Sequence, residues 1–281
     1  MPQWKHAVRV FGAVSTAATA AVIFGTNPNQ EDMWSNLKNV YAAWSTHNPS
    51  VKWDYNWDRR EPASLIEPPN SNTDMQKYEE ELRKIQPKAV RHLFLIRHGQ
   101  YVTRQTEDYL NILTPLGEEQ AFMTGRRLQE LKIPFTRIVS STMMRADQTA
   151  KIVHQFFPEL RMEYSDLLRE GMPIPPEPAR TSWRPEWKFL ADGPRIEAAF
   201  QEYFHRANID QKDDSYEILV CHANVIRYFV CRALQFPPEG WMRMRLYHAS
   251  ITWITIKPDG KVSLKIVGDA GHIPANKLSF S

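Results

Sequence analysis

Two histidines, two arginines and one glutamate stand in or just after apolar runs of the sequence. Arg97 is the last residue of the run "HLFLIR", and His98 follows it directly. His222 directly follows the run "ILVC". Arg145 comes four residues after "RIVSS", and Glu170 lies in "LLREG". Two imidazoles, two guanidiniums and one carboxyl are the side chains needed for phosphoryl transfer through a covalent phosphohistidine.

Each type of side chain would have its own task in such a transfer. A neutral imidazole can attack phosphorus, and arginine binds phosphoryl oxygens through two parallel hydrogen bonds. A protonated carboxyl can give its proton to the leaving alkoxide and can then activate water. Gly99, which follows His98, would let the backbone approach a phosphate without a Cβ clash.

None of these signals is specific by itself. The tripeptide Arg-His-Gly recurs by chance, and a histidine at the end of a strand is more often a structural residue. Arg145 alone is compatible with a solvated helix face, and Glu170 alone with an ordinary loop carboxylate. Their combination, in chain order and each next to an apolar run, favours a common site.

The elements that must position these residues follow from the pattern of apolar residues. Short apolar runs alternate with amphipathic segments, which predicts an α/β fold with a mostly parallel sheet covered on both faces. Ligands of such sheets bind at the carboxyl ends of the strands, so we expect the five side chains to meet at one edge. The predicted strands are 92–96, 137–141, 216–221 and 250–256, and the predicted helices are 114–131, 143–157, 195–207 and 224–234.

These fragments resemble the histidine phosphatase superfamily, in its phosphoglycerate mutase-like branch. The signature of that branch is Arg-His-Gly after the first strand, and the resemblance covers about Arg91 to Gly268. It implies a three-layer sandwich with a mostly parallel central sheet, and it implies no metal and no other cofactor. The implied roles are phosphorylated nucleophile for His98, proton donor for Glu170, contact with the phosphoryl group for His222, and phosphate binding for Arg97, Arg145 and Gly99.

The resemblance extends further to mitochondrial protein phosphatases of this superfamily, through "WDYNWDRREP", "LLREG", "CHANVIRY" and "CRALQFPPEGW". It implies a serine/threonine phosphatase that acts on phosphoproteins, with a MAP kinase kinase kinase as a candidate substrate. Phosphoglycerate mutase activity is not expected. True mutases carry an asparagine and a Ser/Gly-rich stretch soon after Arg-His-Gly, where this chain has "QYVTRQTEDYL".

Two other interpretations stay open at this point. Cys221 and Arg227 have the spacing of a cysteine-based phosphatase loop, although such loops favour small residues. Val225 and Ile226, which lie between them, fit the buried stripe of a helix better. A membrane-anchored scaffold with a degenerate phosphatase fold is the second alternative, and it would be expected to lack part of the site.

The N-terminal residues differ from the rest of the chain. Residues 1–26 carry Lys5 and Arg9 before a weakly hydrophobic run, and as a helix the uncharged residues 10–30 would be roughly 30 Å long, about the thickness of a hydrocarbon core. We predict a targeting and transmembrane segment that anchors the chain once in a mitochondrial membrane, the outer one. A cleaved presequence or secretory signal is the alternative. Residues 27–88 are predicted to be a proline-punctuated tether, and residues 89–281 the phosphatase domain.

Net charge and cysteine content bear on the binding partners of the protein and on the state of its thiols. With 35 basic and 32 acidic residues the net charge is +3, which does not indicate a nucleic-acid partner. The two cysteines, Cys221 and Cys231, are interpreted as reduced, buried thiols.

A repeated Trp-Asp pair lies in the tether, within residues 51–62. Trp53 and Asp54 are followed four residues later by Trp57 and Asp58, and this spacing places both tryptophans on one side of the segment. The resemblance implies that this repeat contacts a neighbouring subunit and builds a homo-oligomer. The alternative is that the tryptophans fasten the tether to their own domain.

Overall fold

The structure, a computed structural model, describes residues 52–69, 74–103, 105–179 and 185–280. Trp53–Ser281 form one compact unit. The predicted anchor, residues 1–26, lies outside the described residues, as does the tether up to residue 51. Within the described ranges, no helix is long and apolar enough to cross a bilayer.

Strands and helices alternate along this unit. The helices are α1 Met75–Ile85, α2 Pro115–Glu130, α3 Met144–His154, α4 Trp187–Tyr203 and α5 Ala223–Ala233. The strands are β1 Arg91–Arg97, β2 Arg137–Ser141, β3 Met162–Ser165, β4 Ser215–Cys221, β5 Ile251–Ile256 and β6 Val262–Asp269. The α/β class is therefore confirmed.

The described strands form one mixed sheet with the order β3-β2-β4-β1-β5-β6. The four strands from β3 to β1 pair in parallel, as predicted. At the other side, β5 pairs antiparallel with β1, and β6 pairs antiparallel with β5. The prediction of a mostly parallel sheet is thus correct for one side and wrong for the other, because alternation of strands and helices ends after α5 and a hairpin follows.

Helices cover both faces of the sheet. On one face, Leu93 and Leu95 of β1 pack in one buried cluster with Phe200 of α4 and Phe229 of α5. On the other face, residues of β1 that alternate with these pack with Leu128 of α2 and with α3. This alternation along a strand is what a sheet buried on both sides requires, and it confirms the three layers.

Helix α4 begins eight residues before the predicted start at Arg195. The sequence "GPR" looks like a break, yet the helix continues through Pro194. A Cβ on Gly193 would lie 2.6 Å from the carbonyl oxygen of Pro173, so glycine lets the first turns of α4 approach the loop that follows Glu170. Tertiary packing therefore overrides the local signal here.

The topology brings several chain segments to one edge of the sheet. Strands β1, β2 and β4 are parallel, so their carboxyl ends lie together, with Arg97 in register with Cys221. Because β5 runs in the opposite direction, its first residues lie at the same edge, with Ile251 opposite Ile96. The predicted site residues are at this edge.

Candidate active site

His98 lies directly after β1 and is almost fully buried, at 2% exposure. Its Nδ1 is 2.8 Å from the carbonyl oxygen of Gly99. A carbonyl only accepts, so Nδ1 carries the proton and donates it to this oxygen. The Nε2 atom therefore holds the free lone pair, and it accepts a hydrogen bond from Nε of Arg145 at 3.3 Å.

The surroundings keep the imidazole of His98 neutral. Burial lowers its pKa well below the ordinary value, and the nearby Arg145, His222 and Arg97 lower the pKa further. A protonated imidazole has no lone pair with which to attack phosphorus. The site therefore holds His98 in the form that a nucleophile requires at neutral pH.

Arg145 is presented by the first turn of α3, directly after β2. Its guanidinium lies 4.7 Å from the centre of the Tyr101 ring, and its Nη1 is 3.6 Å from Asp108 Oδ1. Asp108 Oδ2 also accepts the backbone N–H of Met144 at 3.1 Å. Arg145 is thus held between an aromatic face and a carboxylate, with its Nε directed at His98.

Arg97, the last residue of β1, is also buried and is held by a different segment. Its Nη1 donates to the carbonyl oxygen of Leu246 at 2.6 Å, and its Nη2 donates to Nε2 of His248 at 3.1 Å. Burial lowers the pKa of Arg97 to about 10. The guanidinium still carries its positive charge at neutral pH.

His222 follows β4 and packs beside the proposed nucleophile. The centres of the His222 and His98 rings are 5.1 Å apart. Nε2 of His222 lies 2.9 Å from Oγ of Ser141, whereas its buried Nδ1 has no hydrogen-bond partner among the described residues. Burial and the charge of Arg145 lower the pKa of His222 well below its ordinary value, so this ring is neutral as well.

Glu170 supplies the carboxyl of the site from the loop after β3. Desolvation raises the pKa of this carboxyl, and the raised pKa persists although Arg145 and Arg97 act in the opposite direction. Its Oε1 accepts the backbone N–H of Gly171 at 3.2 Å. A raised pKa is the property that a glutamate needs to act as a proton donor near neutral pH.

Gly99 has a packing reason to be glycine that the sequence did not show. A Cβ at this position would lie 2.4 Å from the carbonyl oxygen of Gly117 in α2, and a Cβ on Gly117 would lie 1.9 Å from the carbonyl oxygen of Gln100. The backbone N–H of Gly99 donates to Oγ1 of Thr149 at 3.0 Å. The two glycines therefore let α2 dock tightly against the loop that carries His98.

The structure brings together all six residues predicted for catalysis and phosphate binding: Arg97, His98, Gly99, Arg145, Glu170 and His222. It also adds residues that the sequence did not indicate. His248 lies 5.6 Å from His98, measured between ring centres, and Asp108 and Tyr101 hold Arg145. His248 precedes β5, so in the predicted sheet it would have been placed at the opposite edge. The direction of β5 was the missing information, and no short pattern in the sequence encodes it.

The cysteine-based alternative is wrong. Cys221 is fully buried in the hydrophobic core, and this burial raises the pKa of its thiol, so that no thiolate is available. Val225 and Ile226 are buried in α5, as the helical stripe predicted. Both Cys221 and Cys231 are free, which confirms the prediction of reduced thiols.

The second half of the Trp-Asp repeat packs against its own domain. Trp57 donates its Nε1–H to the carbonyl oxygen of Gly260 at 2.8 Å. Asp58 and Arg206 form a fully buried ion pair at 2.9 Å, and removal of one partner of such a pair typically costs about 3–5 kcal/mol. Asp54 is exposed, although its backbone exchanges two hydrogen bonds with Gln235. Residues 54–58 are therefore fixed to the phosphatase domain of their own chain.

The mixed α/β sheet and the three buried histidines at its edge, His98, His222 and His248, point to one class of protein. The chain belongs to the histidine phosphatase superfamily, since residues 93–268 match the family model of its branch 1. A solved structure, Bacillus stearothermophilus YhfR, has the same fold, with 21% identity and a TM-score of 0.52 over 66% of this chain and 100% of that one.

More similar relatives share one name, "Serine/threonine-protein phosphatase PGAM5, mitochondrial". The Xenopus laevis protein is 52% identical over 230 residues, which cover 81% of this chain and 84% of that protein. The Homo sapiens protein is 49% identical over 245 residues, covering 86% of this chain and 84% of that protein. The similarity thus reaches well beyond the residues of the family model.

Proposed function

We propose that this chain is a mitochondrial serine/threonine protein phosphatase that acts through a phosphohistidine at His98. The observation that carries the proposal is the orientation of this imidazole, with its proton on Nδ1 and its lone pair on Nε2 facing Arg145. The names of the relatives support the substrate class and the compartment. A degenerate scaffold is disfavoured, because the predicted side chains are all present and lie together.

The reaction would proceed in two displacements. In the first, Nε2 of His98 attacks phosphorus, the ester P–O bond breaks, and Glu170 gives its proton to the leaving serine or threonine oxygen. In the second, the Glu170 carboxylate takes a proton from water, the water oxygen attacks phosphorus, and the P–N bond breaks to release phosphate. Each cycle restores neutral His98 and protonated Glu170, so protons and bonds balance.

The cationic groups would stabilise the phosphoryl group throughout both displacements. Arg97 and Arg145 carry the charges that bind its oxygens, and the backbone at Gly99 lies next to the nucleophile. His222 has an unpartnered Nδ1 beside His98, and a proton on this atom would give the phosphoryl group a further donor. Such donors act strongly in a buried site, where water does not screen them.

The proposal predicts hydrolysis of phosphopeptides without mutase activity. The purified chain should release phosphate from phosphoserine and phosphothreonine peptides, and it should not interconvert 3-phosphoglycerate and 2-phosphoglycerate. Malachite green detection of phosphate and a coupled enolase assay measure the two activities on one preparation. Efficient mutase turnover, or an inert protein with intact fold, would contradict the proposal.

The proposal also includes a location and a candidate target. It places the chain in a mitochondrial membrane, the outer one, through a single N-terminal anchor at residues 1–26, and it takes a phosphorylated MAP kinase kinase kinase as a candidate substrate. The mitochondrial names of the relatives and the basic, weakly hydrophobic N-terminal sequence support the location.

Self-association through residues 51–62 completes the proposal. Replacing Trp53 by alanine, alone and together with Trp57→Ala, should shrink the oligomer and lower turnover per subunit. The Trp53→Ala variant alone is decisive, because Trp57→Ala also removes the hydrogen bond to Gly260 that fixes the segment to its own domain. Light scattering after size exclusion gives the mass, and Trp187→Ala, an exposed tryptophan on α4, is the control. Unchanged mass and rate in the Trp53 variant would show that the segment acts only within its own subunit.

A further inference from the structure

The guanidinium of Arg97 is held by the segment that precedes β5. Leu246 and His248, two residues apart, each accept a hydrogen bond from one terminal nitrogen of Arg97. The backbone of the same segment is tied to the site, since the N–H of Ala249 donates to the carbonyl oxygen of His98 at 3.1 Å. Two acceptors at two different nitrogens fix the plane of the guanidinium.

The hydrogen bonds through His248 can run in one direction only. Arg97 has no acceptor, so Nε2 of His248 must be unprotonated and must accept from Arg97. The proton of the neutral ring is then on Nδ1, and it is donated to Oγ of Ser279 at 2.9 Å. Burial and the nearby charge of Arg97 lower the pKa of His248 to about 3, which keeps the ring neutral.

Ser279 is itself held in place by two elements. Its backbone carbonyl accepts the N–H of His248 at 2.9 Å, and its Oγ accepts Nε2–H of Gln120 at 2.8 Å. Gln120, fully buried in α2, also binds the carbonyl oxygen of Lys277 and accepts the backbone N–H of Gln100. The C-terminal residues are thereby joined to the loop that carries His98.

We propose that His248 and Ser279 form a positioning relay that orients Arg97 for the phosphoryl group. Ser279 selects the ring tautomer whose Nε2 accepts, and His248 then holds Nη2 of Arg97. Without the acceptor on Ser279, the ring could place a proton on Nε2, which would face the donors of Arg97. The inference rests on the proposed function, because it assigns Arg97 to phosphate binding, and it makes the C-terminal segment part of the active site.

The relay predicts graded effects on phosphate binding in the full chain. His248→Ala should raise both KM for p-nitrophenyl phosphate and the inhibition constant of inorganic phosphate by about tenfold, the effect of losing a hydrogen bond to a charged group. His248→Gln should stay within about threefold of the wild type, because its amide oxygen can replace Nε2 as the acceptor. Ser279→Ala should lie between these two. The double alanine variant should be no weaker than His248→Ala alone, since coupled residues are not additive.

Controls separate positioning from folding and from failure of the proposed function. Ser263→Ala, on the edge strand β6, should leave all constants unchanged, and thermal melting confirms that each variant is folded. Equal losses in the Gln and Ala variants, or constants unchanged in His248→Ala, would overturn the relay while an active wild type upholds the phosphatase. A wild type without turnover would overturn the phosphatase instead. Titration calorimetry with inorganic phosphate then still tests the relay, and absence of binding there would overturn it too.

Discussion

Replacing His98 by alanine should abolish release of phosphate from phosphoserine and phosphothreonine peptides. Loss of a nucleophile that forms a covalent intermediate commonly lowers kcat on the order of 10⁴-fold or more. His98 is a neutral imidazole whose unprotonated Nε2 faces Arg145, and it lies directly after β1, where the proposed phosphoryl group would bind. Phosphate release at matched protein concentration measures the effect, and His154→Ala, on α3 away from the site, should keep wild-type activity.

The covalent intermediate gives a second and independent readout of the same variant. Rapid quenching after mixing with a ³²P-labelled peptide should trap labelled protein from the wild type and none from His98→Ala. The label should be lost in acid and retained in base, since a phosphohistidine is acid-labile. Label that survives strong acid, or label on the alanine variant, would assign the nucleophile to another residue.

Much of this site could be predicted from the sequence because its residues stand next to parallel strands. An apolar run such as the one before His98 predicts a buried strand by itself, and parallel strands always align their carboxyl ends. Residues that follow such runs, such as His222, then share an edge whatever the remaining topology is. Arg145, at the start of the helix after β2, is placed by the same rule.

The remaining residues of the site depend on contacts that no local pattern encodes. His248 reaches the site only because β5 pairs antiparallel with β1. Ser279, 31 residues further on, is placed by a buried glutamine of α2. The close approach of Gly99 and Gly117 likewise requires the packed structure, since each glycine alone indicates only backbone freedom.

The Trp-Asp repeat is another case in which a local pattern could not predict a long-range contact. Its spacing predicted that both tryptophans lie on one side, which holds for any secondary structure. The spacing could not show that the carboxylate of Asp58 finds Arg206, 148 residues away, in a fully buried ion pair. A segment interpreted as a tether is therefore fixed to the domain, and the Trp53 variant tests whether it also contacts a neighbouring subunit.

Glu170→Gln should separate the two displacements according to the leaving group. Glutamine keeps the size of the side chain and can still accept the N–H of Gly171, but it has no proton to donate to an alkoxide. Serine and threonine oxygens are poor leaving groups, so hydrolysis of their phosphate esters should fall by about 10²–10⁴-fold, the usual contribution of general acid catalysis. p-Nitrophenolate leaves without protonation, so the first displacement from p-nitrophenyl phosphate should be much less affected.

The second displacement should then become the slow step with the nitrophenyl ester. Glutamine cannot accept the proton of the attacking water, so phosphohistidine should accumulate and appear as a burst of nitrophenol followed by slow turnover. Stopped-flow absorbance measures the burst and the steady rate. Asp166→Asn, an exposed carboxylate four residues earlier in the chain, is the matched control and should show neither effect. Equal losses of the first-displacement rate with the phosphopeptide and with the nitrophenyl ester would mean that Glu170 acts on structure or charge and not as an acid.

The pH dependence of kcat/KM also tests the role of Glu170 as a proton donor. The pKa of Glu170 is raised above the ordinary value, chiefly by desolvation, so the acid form persists to higher pH than for an exposed glutamate. The first displacement needs that acid form, and kcat/KM for a phosphoserine peptide should therefore fall as pH rises through the raised pKa. His98 has its pKa well below the ordinary value and adds no limb near neutral pH. In Glu170→Gln the alkaline fall should disappear, because the group that loses its proton is gone. An alkaline limb that persists in the glutamine variant would assign the titration to another group and remove Glu170 from the role of proton donor.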